Sequence, residues 1–153
     1  MGNTKSIGVA YSDQDIDGGT IGAVIPSTVV GTTVYATSEI GYTSAGQGAV
    51  TQLTDKSTGV TLNKSAGRIT MSNAALAGAT AVSFILTNST ISINDTIVVC
   101  VSSNTTGSAA GAYTTYVSYL AAGSALITLR NLTAATSYSE AVIINFSIIH
   151  GAS

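Results

Sequence analysis

The chain has 153 residues, room for one compact domain and a modest arm, and only 8% of them are charged against about 25% in an ordinary soluble domain. Apolar residues hold at 45% and mean hydropathy is +0.43, which argues against a disordered chain. No run approaches the roughly 18 apolar residues of a spanning helix, and seven tyrosines, two phenylalanines and no tryptophan are too few for the aromatic girdles of a membrane barrel.

Net charge is −2, with basic residues scattered at Lys5, Lys56, Lys64, Arg68 and Arg130. They form no stripe that could neutralise phosphates, so neither nucleic acid nor membrane is an expected partner.

Residues 1–47 read as an extended, Gly-rich arm. Gly18, Gly19, Gly22, Pro26, Gly31, Gly41 and Gly46 interrupt short β-prone pieces, and little in the segment can form a core alone. Met1 to Ser6 lacks the apolar core of a secretory signal, so synthesis in a cytoplasm is expected. Asp13, Asp15 and Asp17 ahead of Gly18 match the first half of a calcium loop, but Val24 stands where the loop needs a bidentate Glu. These three acids are therefore candidates for polar docking of the arm, and no metal or cofactor is expected.

Residues 48–153 read as one β domain. In 81–87, Val82, Phe84 and Leu86 share a face; in 95–101, Ile97, Val99 and Val101 do so; in 124–130, Ala125, Ile127 and Leu129 do so. From 139 to 149 both faces are partly apolar, with Val142, Ile144, Phe146 and Ile148 on one and Ile143 and Ile149 on the other, which predicts a central or interface strand. Further strands are expected at 50–54, 60–62, 68–72 and 113–120, and a single helical turn at 73–78 between Asn73 as cap and Gly78 as stop. Short strands with turn signals between them and no intervening helices describe an all-β fold, a sandwich, jelly roll or small barrel, with an antiparallel, jelly-roll-like β-sandwich as the leading expectation.

Local chemistry is sparse. His150 has no nucleophile elbow or paired ligand near it in sequence, and no P-loop or dinucleotide fingerprint occurs, so the chain is not expected to be an enzyme. Cys100, among Ile97, Val98, Val99 and Val101, reads as a small buried hydrophobe. Tyr113, Tyr116 and Tyr119 form the one aromatic cluster, a candidate interface or binding patch; strand periodicity puts Tyr113 and Tyr119 on one face and Tyr116 on the other. Asn63, Asn88, Asn94, Asn104, Asn131 and Asn145 begin N-x-S/T triplets that abundant Ser and Thr explain without glycosylation.

The charge deficit has a location. Residues 69–94 and 96–129 contain no charged side chain, although strands there must present faces to their surroundings. Interface cores are depleted in charge, so the expected partner is a further copy of the chain.

Residues 48–63 (GAVTQLTDKSTGVTLN), 67–76 (GRITMSNAAL) and 139–146 (SEAVIINF) resemble small virion proteins of tailed bacteriophages. Residues 17–22 (DGGTIG) and 31–37 (GTTVYAT) resemble phrases common in phage fibre proteins. The resemblance implies a β-rich homotrimer on the virion, a capsid decoration or cement protein that contacts the major capsid protein. It also leaves open a tail fibre or receptor-binding knob, in which the tyrosines or the loop 102–111 contact a host glycan. It implies no catalytic residues.

Overall fold

Period-two burial organises the strands of this protein. The computed structural model describes Thr33, residues 35–104 and residues 110–151. The chain divides into two compact units, Met1–Glu39 and Ile40–Ser153. The described residues of the first unit carry no helix or strand. Most of the expected arm, including Asp13, Asp15 and Asp17, lies outside the described residues.

The second unit is almost entirely β. Its strands are β1 (Gln47–Thr51), β2 (Val60–Thr61), β3 (Ala66–Thr70), β4 (Ala81–Thr87), β5 (Thr96–Asn104), β6 (Tyr113–Ala121), β7 (Ser124–Asn131) and β8 (Val142–Ile149), with single 3-10 turns at Ser44–Gly46 and Ala110–Ala112. They form two four-stranded sheets, ordered β1-β3-β8-β5 and β2-β4-β7-β6.

The expectation of purely antiparallel pairing needs correction at two places. β3–β8, β5–β8, β4–β7 and β6–β7 are antiparallel, but β1–β3 and β2–β4 are parallel. The cause is the path of the chain. From β1 to β4 it alternates between the sheets, so the link from β1 to β3 passes through β2 and the link from β2 to β4 passes through β3. A parallel pair needs a crossover of about a dozen residues or more. Here a strand of the opposite sheet serves as that crossover, where an α/β fold would use a helix.

The apolar faces predicted from periodicity are the buried ones. Phe84 and Leu86 of β4, Ala125, Ile127 and Leu129 of β7, and Val142, Ile144, Phe146 and Ile148 of β8 join one cluster with Ile69, Met71, Leu76, Ile91 and Tyr113. Ile97, Val99 and Val101 of β5 pack against it. β7 and β8 are the internal strands that contribute most to the core, and β8 occupies the central position expected of it.

Two local expectations yield to long-range contacts. Residues 73–78 form no helical turn. Leu76 is instead drawn into the core and bridges Tyr138, donating its N–H to the Tyr138 carbonyl (2.8 Å) and accepting from the Tyr138 N–H (3.2 Å). One isolated helical turn is costly to nucleate and cannot compete with that burial. Cys100 is exposed, because strand alternation turns Val99 and Val101 to the core and Cys100 outward, in register with Asn145 and Arg68.

Polar groups inside the body are held by the backbone. Asn88 follows β4 and Asn131 ends β7, and both are fully buried. Their amides use the same design. Asn88 Oδ1 accepts from the N–H and hydroxyl of Thr90 while Nδ2 donates to the Lys64 carbonyl (2.7 Å). Asn131 Oδ1 accepts from the N–H and hydroxyl of Thr133, and Nδ2 donates to the carbonyls of Leu76 (3.0 Å) and Thr136 (2.9 Å). These two N-x-T triplets are therefore turn locks. Lys56, 3% exposed, donates through Nζ to the carbonyls of Ser72 (2.5 Å) and Glu140 (2.8 Å), and burial pulls its pKa down while Glu140 pushes it up.

Gly48 and Gly67 face each other across the β1–β3 pair. A Cβ on Gly67 would lie 2.6 Å from Leu62 Cδ2 and 2.8 Å from Phe146 Cε1; one on Gly48 would lie 2.9 Å from Leu62 Cδ1. The paired glycines thus make room for the Leu62 side chain beneath the parallel crossover. Overpacking of this kind costs about 1–3 kcal/mol. Gly67→Ala is expected to lower the thermal midpoint accordingly, which calorimetry of the two proteins checks.

Candidate functional site

The β2-β4-β7-β6 sheet presents an outward face almost free of charge. Cross-strand register sets its rows: Ile85, Leu126 and Tyr119; Ser83, Thr128 and Tyr116; Ala81, Arg130 and Thr114. Arg130 is the one charged residue in these rows. Ile85 is 53% exposed, Tyr116 46% and Tyr119 66%. Tyrosine combines a flat apolar ring with a hydroxyl, the combination that protein interfaces favour.

The two tyrosines share this face because β6 is irregular. Its register against β7 shifts between Val117 and Tyr119, so Ser118 is an extra residue and the alternation reverses. Strict periodicity pairs Tyr119 with Tyr113; the bulge corrects that and pairs it with Tyr116. Tyr113 points inward, 6% exposed, with its ring edge-on to Tyr138 at 6.1 Å. Burial, with Glu140 nearby, raises its phenol well above the ordinary range. Tyr113 is therefore a core residue, while Tyr116 and Tyr119 remain available to a partner.

Hydroxyls knit the face between those rings. Ser83 Oγ and Ser118 Oγ each lie 2.8 Å from Thr128 Oγ1, and Ser118 Oγ donates to the Leu126 carbonyl (3.2 Å). Hydroxyls satisfied within the sheet lose less on dehydration than free ones. Apart from Arg130, the face can lose water without burying a charge.

The second cluster gathers three distant segments at the end of β8. His150 Nδ1 lies 3.2 Å from Asp95 Oδ2, and His150 Nε2 lies 3.1 Å from Ser65 Oγ. The Asp95 side chain is 1% exposed and that of His150 40%. Asp95 also accepts from the Ser92 N–H (2.8 Å), the Ser92 hydroxyl (2.9 Å) and the Gly151 N–H (3.0 Å). Those bonds, chiefly the one from the Ser92 backbone, hold its pKa at about 2 against the ordinary 3.8 despite desolvation. Beside His150 is a groove of about 480 Å³ lined by Ile40, Gly41, Tyr42, Ser147, Ile148 and Ile149, across which the Tyr42 hydroxyl donates to the Ile148 carbonyl.

Sequence reading singled out His150 without partners. Ser65 and Asp95 stand 85 and 55 positions away in the chain, and no local pattern links them. The candidate docking acids Asp13, Asp15 and Asp17, and residues 105–109 of the candidate glycan loop, lie outside the described residues. Comparison with protein-family models, with curated proteins and with solved structures finds no match to this chain.

The depressed carboxyl of Asp95 carries a sign. A group whose pKa is lower in the folded state stabilises the fold above its unfolded value and loses that contribution as pH falls through the folded one. Asp95 therefore supports stability fully above about pH 4 and progressively less toward pH 2. Denaturant midpoints of the wild type should fall as pH drops across that window, and Asp95→Asn should remove part of this dependence.

Proposed function

We propose that this chain is a structural virion subunit, a capsid decoration or cement protein, whose two sheets form a jelly-roll-like sandwich that packs against further copies of itself. In this reading the pairs β3–β8 and β4–β7 make the body of the roll, and the parallel β1 and β2 replace its first wrap. The observation that carries the assembly claim is the outward face of the β2-β4-β7-β6 sheet, where Ile85, Tyr116 and Tyr119 are exposed and Arg130 is the only charge in the central rows. With Arg130 as its one charge, such a face offers little to a strongly charged partner. A second copy, equally poor in charge, matches it.

The virion and the threefold state follow from the resemblance to phage proteins. The major capsid protein is the corresponding partner, and the product reaches the capsid surface after synthesis in the host cytoplasm. Assembly would stabilise the head by burying surface across several shell subunits.

Sedimentation of the full chain at micromolar concentration is expected to give an oligomer, a trimer if the resemblance holds. Tyr119→Lys should weaken association at least tenfold with little change in the fold, since that side chain is mostly exposed and a buried unpaired charge is costly. A wild-type monomer under these conditions would refute the assembly claim.

The exposed side chains of Tyr116 and Tyr119, on neighbouring rows of one face, also support a second reading, a fibre tip that stacks them on host glycan. Gold-labelled antibody on intact particles separates the two. Label over the head is the outcome expected here, whereas label confined to the tail selects the fibre reading.

A further inference from the structure

The cluster of Ser65, His150 and Asp95 has the connectivity of a nucleophile, its base and the acid that orients the base. Asp95 is buried, accepts three hydrogen bonds besides its contact with His150, and is held in one position by Ser92 and Gly151. With Asp95 ionised, His150 Nδ1 carries the hydrogen that faces Oδ2 at 3.2 Å. That tautomer leaves the Nε2 lone pair directed to Ser65 Oγ at 3.1 Å. Both separations are within the reach required of a general base and its nucleophile.

Access is consistent with chemistry. His150 is partly exposed, and it forms one wall of the apolar groove between Tyr42 and Ile149. A small apolar group seated there lies beside the base.

We propose that Ser65 is a nucleophile activated by His150 and Asp95, accepting acyl groups from small apolar carboxylic esters. Ser65 Oγ forms a bond to the ester carbonyl carbon as its proton passes to His150 Nε2. The carbon–oxygen bond to the alcohol then breaks, and Nε2 returns the proton to the departing oxygen. Water repeats the sequence on the acyl-serine, releasing the carboxylic acid and restoring the Ser65 hydroxyl. Asp95 is a positioning residue that sets the tautomer and stabilises the protonated ring. This inference is independent of the assembly reading and departs from the expectation of a non-catalytic chain.

An alkyl fluorophosphonate tests it on the full-length protein, because serine attack displaces fluoride and leaves a stable phosphonyl ester. Peptide mapping is expected to find one adduct, on Ser65, in a chain crowded with other Ser and Thr hydroxyls. Ser65→Ala should abolish it. His150→Gln, with a melting curve matched to the wild type, should slow labelling about 100-fold or more, the usual contribution of a general base. Hydrolysis of p-nitrophenyl butyrate should fall in parallel in both variants. No adduct on the wild type, adducts scattered over other hydroxyls, or wild-type labelling rates in His150→Gln would each overturn the proposal. The wild-type map decides the matter even if a variant fails to fold.

Discussion

The apolar faces of β7 and β8 meeting in one core are the contact on which the rest of the body depends. Ile127 and Leu129 on one strand and Val142, Ile144 and Ile148 on the other are wholly removed from water. Each such side chain contributes roughly 1.5–3 kcal/mol relative to exposure. β7 takes β4 and β6 as hydrogen-bonded neighbours, and β8 takes β3 and β5, so six of the eight strands are these two and their direct partners. β1 and β2 then attach as parallel edges, at positions reached only because the chain alternates between the sheets.

With the apolar residues committed inward, the outward faces are left to hydroxyls and a few large side chains. Register places Arg68 on the outer face of one sheet and Arg130 on that of the other. Thr128 ties Ser83 and Ser118 together in place of charge. Such a surface has little electrostatic repulsion to keep copies apart. The same low charge that marks the composition thus becomes, on the folded molecule, a pair of nearly neutral faces.

Inside, polar side chains serve the backbone. Asn88 and Asn131 each satisfy a turn on one side and a distant carbonyl on the other, and Lys56 bonds two carbonyls from separate segments. Asp95 does the same for the Ser92 turn and the C-terminal Gly151, and in doing so presents a fixed carboxylate to His150. The arrangement at the end of β8 follows from this anchoring, since the carboxylate that Ser92 and Gly151 hold is the one that contacts the ring of His150.

The sequence by itself determined the β class, strands within 81–87, 95–101, 124–130 and 139–149, and the inward face of the first three, because an alternation of two is a local property written directly in residue order. It also determined the scarcity of charge. Only the tertiary structure decided the parallel edges, since strand direction depends on which sheet the chain enters next. It decided the shared face of Tyr116 and Tyr119 as well, because one extra residue at Ser118 reverses an alternation that the sequence leaves unmarked. The meeting of Ser65, Asp95 and His150 belongs to it too: contacts across 85 and 55 residues arise from sheet pairing and leave no trace in spacing.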